Sequence, residues 1–467
     1  MYELTGAEPF RELKLVKTDR GFELQGDAQE SPTVLQTLIS PPRDGKRLVV
    51  QIARRTTSDG RVTRFRKDAV VLDFAGRNEP AWRVFPLFEA YVNDDYYVDS
   101  VTEAYGFLDA DRLLHVAASG NNPATGDFSY RVQTLDIRTG AIGVLFPDIP
   151  GAPVNEFFGR GWLTADKGTL VLNTYQTGKL WTFDLGKREV RQSERFFPHV
   201  WPFYHIVPSP DGELFWYMDH RNRKYRLHRA DGEPVAQAAF PSGYDDYPPF
   251  EWTPDGRYTA YAYTRDRTDD HIISPGEVDQ IAPQGIRFFD RRGNIVLTVE
   301  TAKGSGEYVE LAAWIDEGRE ALLHFFKLDR SNRQPGDPPE KMTLRYERLR
   351  IPDGERTALQ RVEDPAQLER SVYVSQRPNG SLYRIDNANN RIYMENGFGI
   401  VVPDDTSAQW AWYTEEGEDA ILNRFDSERD VVSAQKMKRP DRWPDAVVHD
   451  WLVAGPSYIR IAPLPDK

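Results

Sequence analysis

Two segments, Ile206-Val-Pro-Ser-Pro-Asp-Gly-Glu-Leu-Phe-Trp-Tyr-Met218 and Phe250-Glu-Trp-Thr-Pro-Asp-Gly-Arg-Tyr-Thr-Ala-Tyr-Ala262, carry the same unit. Each reads as an apolar strand, a Pro-Asp-Gly turn and an aromatic strand. Asp211 and Asp255 stand 44 residues apart, the length of one four-stranded blade of a β-propeller. Aspartate bonds locally to the turn backbone and glycine tolerates positive φ, which is what a tight strand-to-strand turn needs.

Working outward, the same turn between an innermost strand (a) and the next (b) recurs. It falls at Asp44-Gly45, Asp111-Arg112, Asp166-Lys-Gly168, Asp211-Gly212, Asp255-Gly256, Asp316-Glu-Gly318, Asn379-Gly380 and Glu416-Gly417. Third strands (c) follow at Ala69–Phe74, Tyr130–Leu135, Lys179–Phe183, Tyr225–His228 and Gly285–Phe289. Trp314–Leu323 and Trp412–Leu422 match closely, and both are read as a-to-b hairpins. Between them, strands at 371–374, 381–385, 391–394 and 399–402 fit one short blade. The expected fold is all-β: a single propeller of four-stranded antiparallel blades over 1–467. Eight turns favour eight blades, and seven is the alternative if the short unit is an insertion. Residues 10–25 and 447–463 are expected to share a closing blade, which leaves no free sheet edge there, with successive blades over 34–440.

The 467 residues are 40 % hydrophobic and 12 % aromatic, enough for an extensive core. A net charge of −13 argues against nucleic acid and anionic membranes as partners of the whole surface. The chain has no cysteine, which excludes disulfides, thiolate zinc sites and cysteine nucleophiles. No run approaches a membrane span, and Met1-Tyr-Glu-Leu is too polar for a signal h-region. The expected location is secreted or cell envelope, with a targeting segment removed.

At its Pro-Asp-Gly hairpins the sequence resembles the WD-like repeats of TolB-type β-propellers. The likeness is strongest over 202–264 and extends at repeat level over about 34–330. The resemblance implies the fold and little about activity, because this group includes docking modules, peptidase-associated domains and polysaccharide lyases. It carries over no catalytic residue, since the turn itself is structural.

Long segments separate strands b and c at 54–67, 119–129, 265–284 and 329–340, whereas a-to-b turns stay short. In a propeller the b-to-c and d-to-a connections emerge on one face, so that rim is the candidate binding face. His199, His205 and His220 fall at this end of one repeat, with Tyr204 and Arg221. Imidazole serves as a base near neutral pH, tyrosine as a proton donor and arginine as a carboxylate clamp, the set a uronate-cleaving lyase needs. The competing reading makes His205 a packed inner-strand residue and the other two loop residues. Tyr97, Trp201, Arg223, Tyr244 and Tyr247 are the candidate ligand-binding residues, by stacking on sugars or anchoring a protein. Trp82 reads as either rim or inter-blade core.

Acidic rim groups, Asp94-Asp95 with Asp99, Asp245-Asp246 and the run from Asp266 to Asp279, are of the ligand type Ca²⁺ takes. They lack the spacing of a calcium loop and read as a solvated rim, so no metal or cofactor is expected. Nucleophile-elbow, phosphate-loop and zincin motifs are absent. The leading expectation is a non-enzymatic propeller that binds a protein or glycan. The alternative is a polysaccharide lyase-like enzyme on the same face.

Overall fold

The computed structural model describes residues 13–19, 21–25, 33–39, 47–58, 61–74, 81–91, 102–122, 127–147, 158–174, 180–192, 206–219, 224–239, 250–263, 284–329, 340–364, 367–368, 371–375, 382–395, 397–400, 402, 409–426, 431–440, 442–444, 446–448, 450–454 and 457–463. Its strands form the eight sheets of an eight-bladed β-propeller. No α-helix occurs among the described residues.

The closing sheet contains β1 (Lys14–Lys17) and β2 (Gly21–Gln25) from the N-terminal side. The first blade is β3 (Thr33–Ile39), β4 (Arg47–Ser58), β5 (Arg61–Asp73) and β6 (Ala81–Tyr91). The second is β7 (Thr102–Phe107), β8 (Arg112–Asn122), β9 (Asp127–Asp136) and β10 (Ile142–Phe146). The third is β11 (Phe158–Leu163), β12 (Thr169–Thr174), β13 (Leu180–Asp184) and β14 (Glu189–Gln192). The fourth is β15 (Ile206–Pro208), β16 (Leu214–Asp219), β17 (Lys224–Arg229) and β18 (Pro234–Ala239). The fifth is β19 (Phe250–Trp252), β20 (Tyr258–Tyr263), β21 (Gly285–Asp290) and β22 (Ile295–Glu300). In all five, hydrogen-bonded order follows chain order, as the turn spacing predicts.

The last third departs from the sequence reading. The sixth blade is β23 (Tyr308–Ile315), β24 (Glu320–Asp329), β25 (Glu340–Arg350) and β26 (Arg356–Arg361). Its outer edge continues into β27 (Ser371–Ser375), β28 (Leu382–Asp386) and β29 (Arg391–Glu395), in the order β23-β24-β25-β26-β29-β28-β27. The join is parallel, with Gln360 opposite Arg391 and Arg361 opposite Ile392. The short unit is therefore not a blade of its own. Its expected fourth strand, β30 (Phe398–Ile400), heads the seventh blade with β31 (Gln409–Glu416), β32 (Asp419–Asp426) and β33 (Val431–Lys438). Because Phe398 pairs with Tyr413, the Glu416-Gly417 turn joins the second and third strands of that blade, not the first and second. The closing sheet then runs β1-β2-β36-β35-β34, with β34 (Ala446–Val448), β35 (Trp451–Ala454) and β36 (Ser457–Arg460). Phe22 sits opposite Tyr458, so the expected sharing of one sheet by both chain ends is present.

Contacts divide the chain into two compact units, 1–161 with 184–190 and 397–467, and 162–183 with 191–396. In the first, Phe22, Leu24, Val50, Ile52, Phe74, Trp451 and Tyr458 share one buried core, against which Trp82 packs, the structural of its two readings. In the second, Trp216 stacks on Phe250 at 4.3 Å, and Tyr225, Tyr261 and Phe289 close round them. Aromatic residues from the first three strands of the fifth blade and the second and third of the fourth thus fill the seam between the two blades.

The repeated turn proves to be a three-part device. A hydroxyl two residues before the aspartate bonds its carboxylate: Thr164 to Asp166 at 2.6 Å, Ser209 to Asp211 at 2.5 Å, Thr253 to Asp255 at 2.7 Å. The same hydroxyl accepts the N–H five residues on, from Thr169, Leu214 and Tyr258, each at 3.0 Å. The turn then docks on the preceding blade. Trp162 Nε1 donates to Gly212 O at 3.0 Å and the Ala165 N–H to Asp211 O at 2.9 Å. From the following blade, Arg291 reaches back to Asp211 at 2.6 Å and to Gly256 O at 3.1 Å. Burial pushes the Asp211 carboxyl up, but hydrogen bonds from Ser209, the Glu213 N–H and Arg291 outweigh it and hold it below the usual range.

Candidate functional site

The ten residues singled out from sequence, His199, His205, His220, Tyr204, Arg221, Tyr97, Trp201, Arg223, Tyr244 and Tyr247, lie outside the described residues. So do the acidic rim groups. Among the described residues no group of three or more histidines and carboxylates is arranged to hold a metal ion. Lys303-Gly-Ser-Gly306 is a turn between β22 and β23 with no helix after it.

Two of the four expected b-to-c insertions lie largely among the described residues. Residues 54–67 and 119–129 are largely strand: β4 and β5 run for 12 and 13 residues, β8 and β9 for 11 and 10. The corresponding strands of the fourth and fifth blades run for 6 residues each. The insertions of the first two blades are therefore paired ribbons; in the first, pairing runs from Arg47↔Asp73 out to Ser58↔Arg61, with a bulge between Thr56 and Thr57. In the sixth blade the pairing extends to Asp329↔Glu340, the two ends of the fourth expected insertion. At about 3.3 Å per residue, six extra residues carry a ribbon roughly 20 Å beyond an ordinary blade.

A buried charge cluster fixes the base of the first ribbon. Arg54 and Asp68 are almost wholly inaccessible, at 1 % and 0 % exposure. Arg54 Nε and Nη2 lie 2.9 and 2.8 Å from Asp68 Oδ2, and Arg66 Nε lies 2.7 Å from Asp68 Oδ1. The carboxylate is satisfied on both oxygens by fork-shaped donors, so the two ribbon strands are tied where they leave the sheet.

A second polar group lies within the first unit. Val49, Ala69, Leu113 and Leu135 share the core between the first and second blades. Two residues further along the same faces come Gln51, His115 and Gln133, all buried. His115 faces Gln133 across β8 and β9. Among the described residues, neither ring nitrogen of His115 and neither amide atom of Gln133 has a hydrogen-bond partner. Burial, with the Arg131 charge adding to it, pushes His115 down to about 3, so the imidazole is neutral at physiological pH.

The most complete constellation is in the sixth blade, near the strand ends that face its b-to-c connection. Glu310, His324 and Tyr346 stand in one cross-strand row on β23, β24 and β25. His324 Nδ1 lies 2.9 Å from Glu310 Oε1, and Nε2 lies 3.0 Å from Thr343 Oγ1. Lys341 Nζ bonds the other Glu310 oxygen at 2.6 Å and sits 4.9 Å over the Phe326 ring. The imidazole stacks on Tyr346 at 4.6 Å with an interplanar angle of 14°. Burial pushes the Glu310 carboxyl up, but hydrogen bonds and charge from His324 and Lys341 outweigh this and hold it below the usual range. Burial also raises the Tyr346 phenol, against a hydrogen bond with Thr343, so it stays protonated.

The sequence reading passed over His324 because its partners lie 14 residues before it and 19 after it. One local signal was available: a lone histidine inside Ala321-Leu-Leu-His-Phe-Phe326, an otherwise apolar strand.

No protein-family model matches the chain, and no curated protein matches it. Among solved structures it is similar to a eukaryotic initiation factor at 12 % identity and a TM-score of 0.48, over 97 % of this chain and 98 % of that one. It is also similar to Chaetomium thermophilum Sqt1 at 12 % identity and 0.39, over 89 % and 97 %. A third is the dihydro-heme d1 dehydrogenase NirN, at 14 % identity and 0.39, over 93 % and 82 %.

Proposed function

We propose that the chain is an extracytoplasmic binding propeller that takes an anionic protein or glycan on the paired ribbons of its first two blades. The observation that carries this is the β4–β5 ribbon. It extends well past the ordinary blade and is tied at its base by the Arg54–Asp68–Arg66 cluster. A projecting element held rigid in advance loses little freedom on binding. Beyond that tie the sequence holds Arg55, Arg61 and Arg64 against one acid, Asp59, in a chain of net charge −13. That reversal of sign favours an anionic ligand and steers its approach. The extracytoplasmic setting rests on the repeat type read from the sequence.

The test is calorimetric titration with polygalacturonate and with neutral dextran at low and high salt. The companion variant replaces 56–64 by Asn-Gly, a two-residue hairpin turn that preserves the strands below it. Saturable polygalacturonate binding that weakens with salt and disappears in the trimmed variant supports the proposal for a glycan. Equal binding of dextran, or full binding by the trimmed variant, rejects it.

A further inference from the structure

We propose that Thr343 is a nucleophile activated by His324 and held in line by Glu310, and that its reactant class is a carboxylic ester. The inference is independent of the ribbons, which belong to the other unit.

Three features carry it. The first is direction. Glu310 is held ionised, and an ionised carboxylate only accepts, so the Nδ1 hydrogen of His324 points to Oε1. Nε2 lies 3.0 Å from Thr343 Oγ1, and in the neutral ring it accepts the Thr343 hydroxyl hydrogen. Carboxylate, imidazole and hydroxyl thus line up as a general base needs them.

The second is a β-bulge. His324 pairs with Tyr346 and Phe325 with Arg345, but Phe326 pairs with Thr343, which leaves Leu344 unopposed. Without that extra residue, strict alternation from Tyr346 would place Thr343 on the opposite face of β25 from His324. The bulge turns the hydroxyl onto the imidazole's face, the use such irregularities have beside reactive sites.

The third is access. His324 is buried, at 8 % side-chain exposure, yet Glu310 keeps 28 %, Lys341 keeps 50 %, and Thr343 is partly exposed. Next to Thr343 on the chain, Met342 and Leu344 are exposed at 51 % and 42 %.

In the proposed step Thr343 Oγ1 bonds to the ester carbonyl carbon while its proton passes to His324 Nε2. The carbon–alkoxy bond then breaks, and the departing alkoxide takes that proton from Nε2. The products are an acyl-threonine and an alcohol. Water, deprotonated by the same nitrogen, releases the acid and restores the hydroxyl.

The experiment is covalent capture on the full chain. Wild type is treated with a fluorophosphonate probe across a pH series, and the adduct is mapped by peptide mass spectrometry. The expected adduct is on Thr343, retained in Thr343→Ser and absent in Thr343→Val. His324→Gln should slow it by about 100-fold or more and abolish its pH dependence. Glu310→Gln, which keeps an acceptor but removes the charge, should slow it by a smaller factor. Circular dichroism and melting on each variant establish that the fold is kept. No Thr343 adduct in wild type overturns the proposal. So does an adduct formed at the same rate in folded His324→Gln, which would leave the row a structural ladder.

Discussion

Gly212→Ala tests whether the signature turn is a local hairpin or a clamp between blades. Gly212 has φ of +71°, where a side chain costs about 1–2 kcal/mol in any context. A Cβ there would also stand 2.9 Å from Trp162 Cδ1 and 3.0 Å from Thr164 Cα, on the preceding blade. Overpacking of this kind adds about 1–3 kcal/mol. Gly304 supplies the control within the same unit: its φ is +77° and nothing lies within 4 Å of its added Cβ. Gly304→Ala should therefore show the backbone cost alone. Gly212→Ala should be the less stable by about 1–3 kcal/mol, roughly 2–12 °C in melting temperature for a unit of this size. Differential scanning calorimetry of both variants reads the difference. Equal destabilisation would refute the docked turn and leave it a local hairpin.

Other expectations follow from the same geometry. Thr253→Val removes a fully buried hydroxyl that serves Asp255 and the Tyr258 N–H, and should cost about 1–3 kcal/mol in urea unfolding. His115 has its folded value pushed down to about 3 from 6.5, so its contribution is whole above pH 6.5. It is eroded as pH falls towards 3, because the unfolded chain takes a proton that the native one refuses. Relative to His115→Leu, wild type should lose up to about 1.4 kcal/mol per pH unit below 6.5. Asp211 and Asp255 are held below the usual range, so their contribution is present above about pH 4 and lost as pH falls further. Asp211→Asn should flatten that acid-side loss in a melting series. Uronate polymers incubated with the protein should give no rise in ultraviolet absorbance. A rise abolished by His205→Ala or His220→Ala would transfer the function to a lyase.

The first five blades were legible because their signal is local. In the third, fourth and fifth blades a hydroxyl, an aspartate and a glycine within a few residues make each turn, and the strand beside it pairs with its chain neighbour. The parallel join of Gln360 and Arg361 to Arg391 and Ile392 was not legible, because it pairs residues 31 apart with no turn to mark it. The same holds for Phe398–Ile400, whose three residues pair forward with Tyr413 and not back with the short unit. The first two insertions fall where the structure has its long second and third strands, but their paired form was hidden. Residues 54–67 read only as a long segment between strands, whereas cross-strand pairing from Arg54↔Arg66 outward makes a ribbon. Of the candidate chemistry, the favoured end of the blade could be deduced from topology. The row Glu310–His324–Thr343 could not, since a one-residue bulge decides which face Thr343 takes.

Every placement above depends on strand order, and the least local pairing is that of β2 with β36. Because the chain has no cysteine, Glu23→Cys with Ser457→Cys introduces the only two thiols. These residues are direct partners in the antiparallel pair. Directly opposed Cα atoms lie about 4.5–5.5 Å apart, within disulfide range. Under mild oxidation of the native protein the account predicts complete loss of free thiol, a reducible mobility shift and a higher melting temperature. Two thiols that remain free in the native protein would contradict the closing sheet.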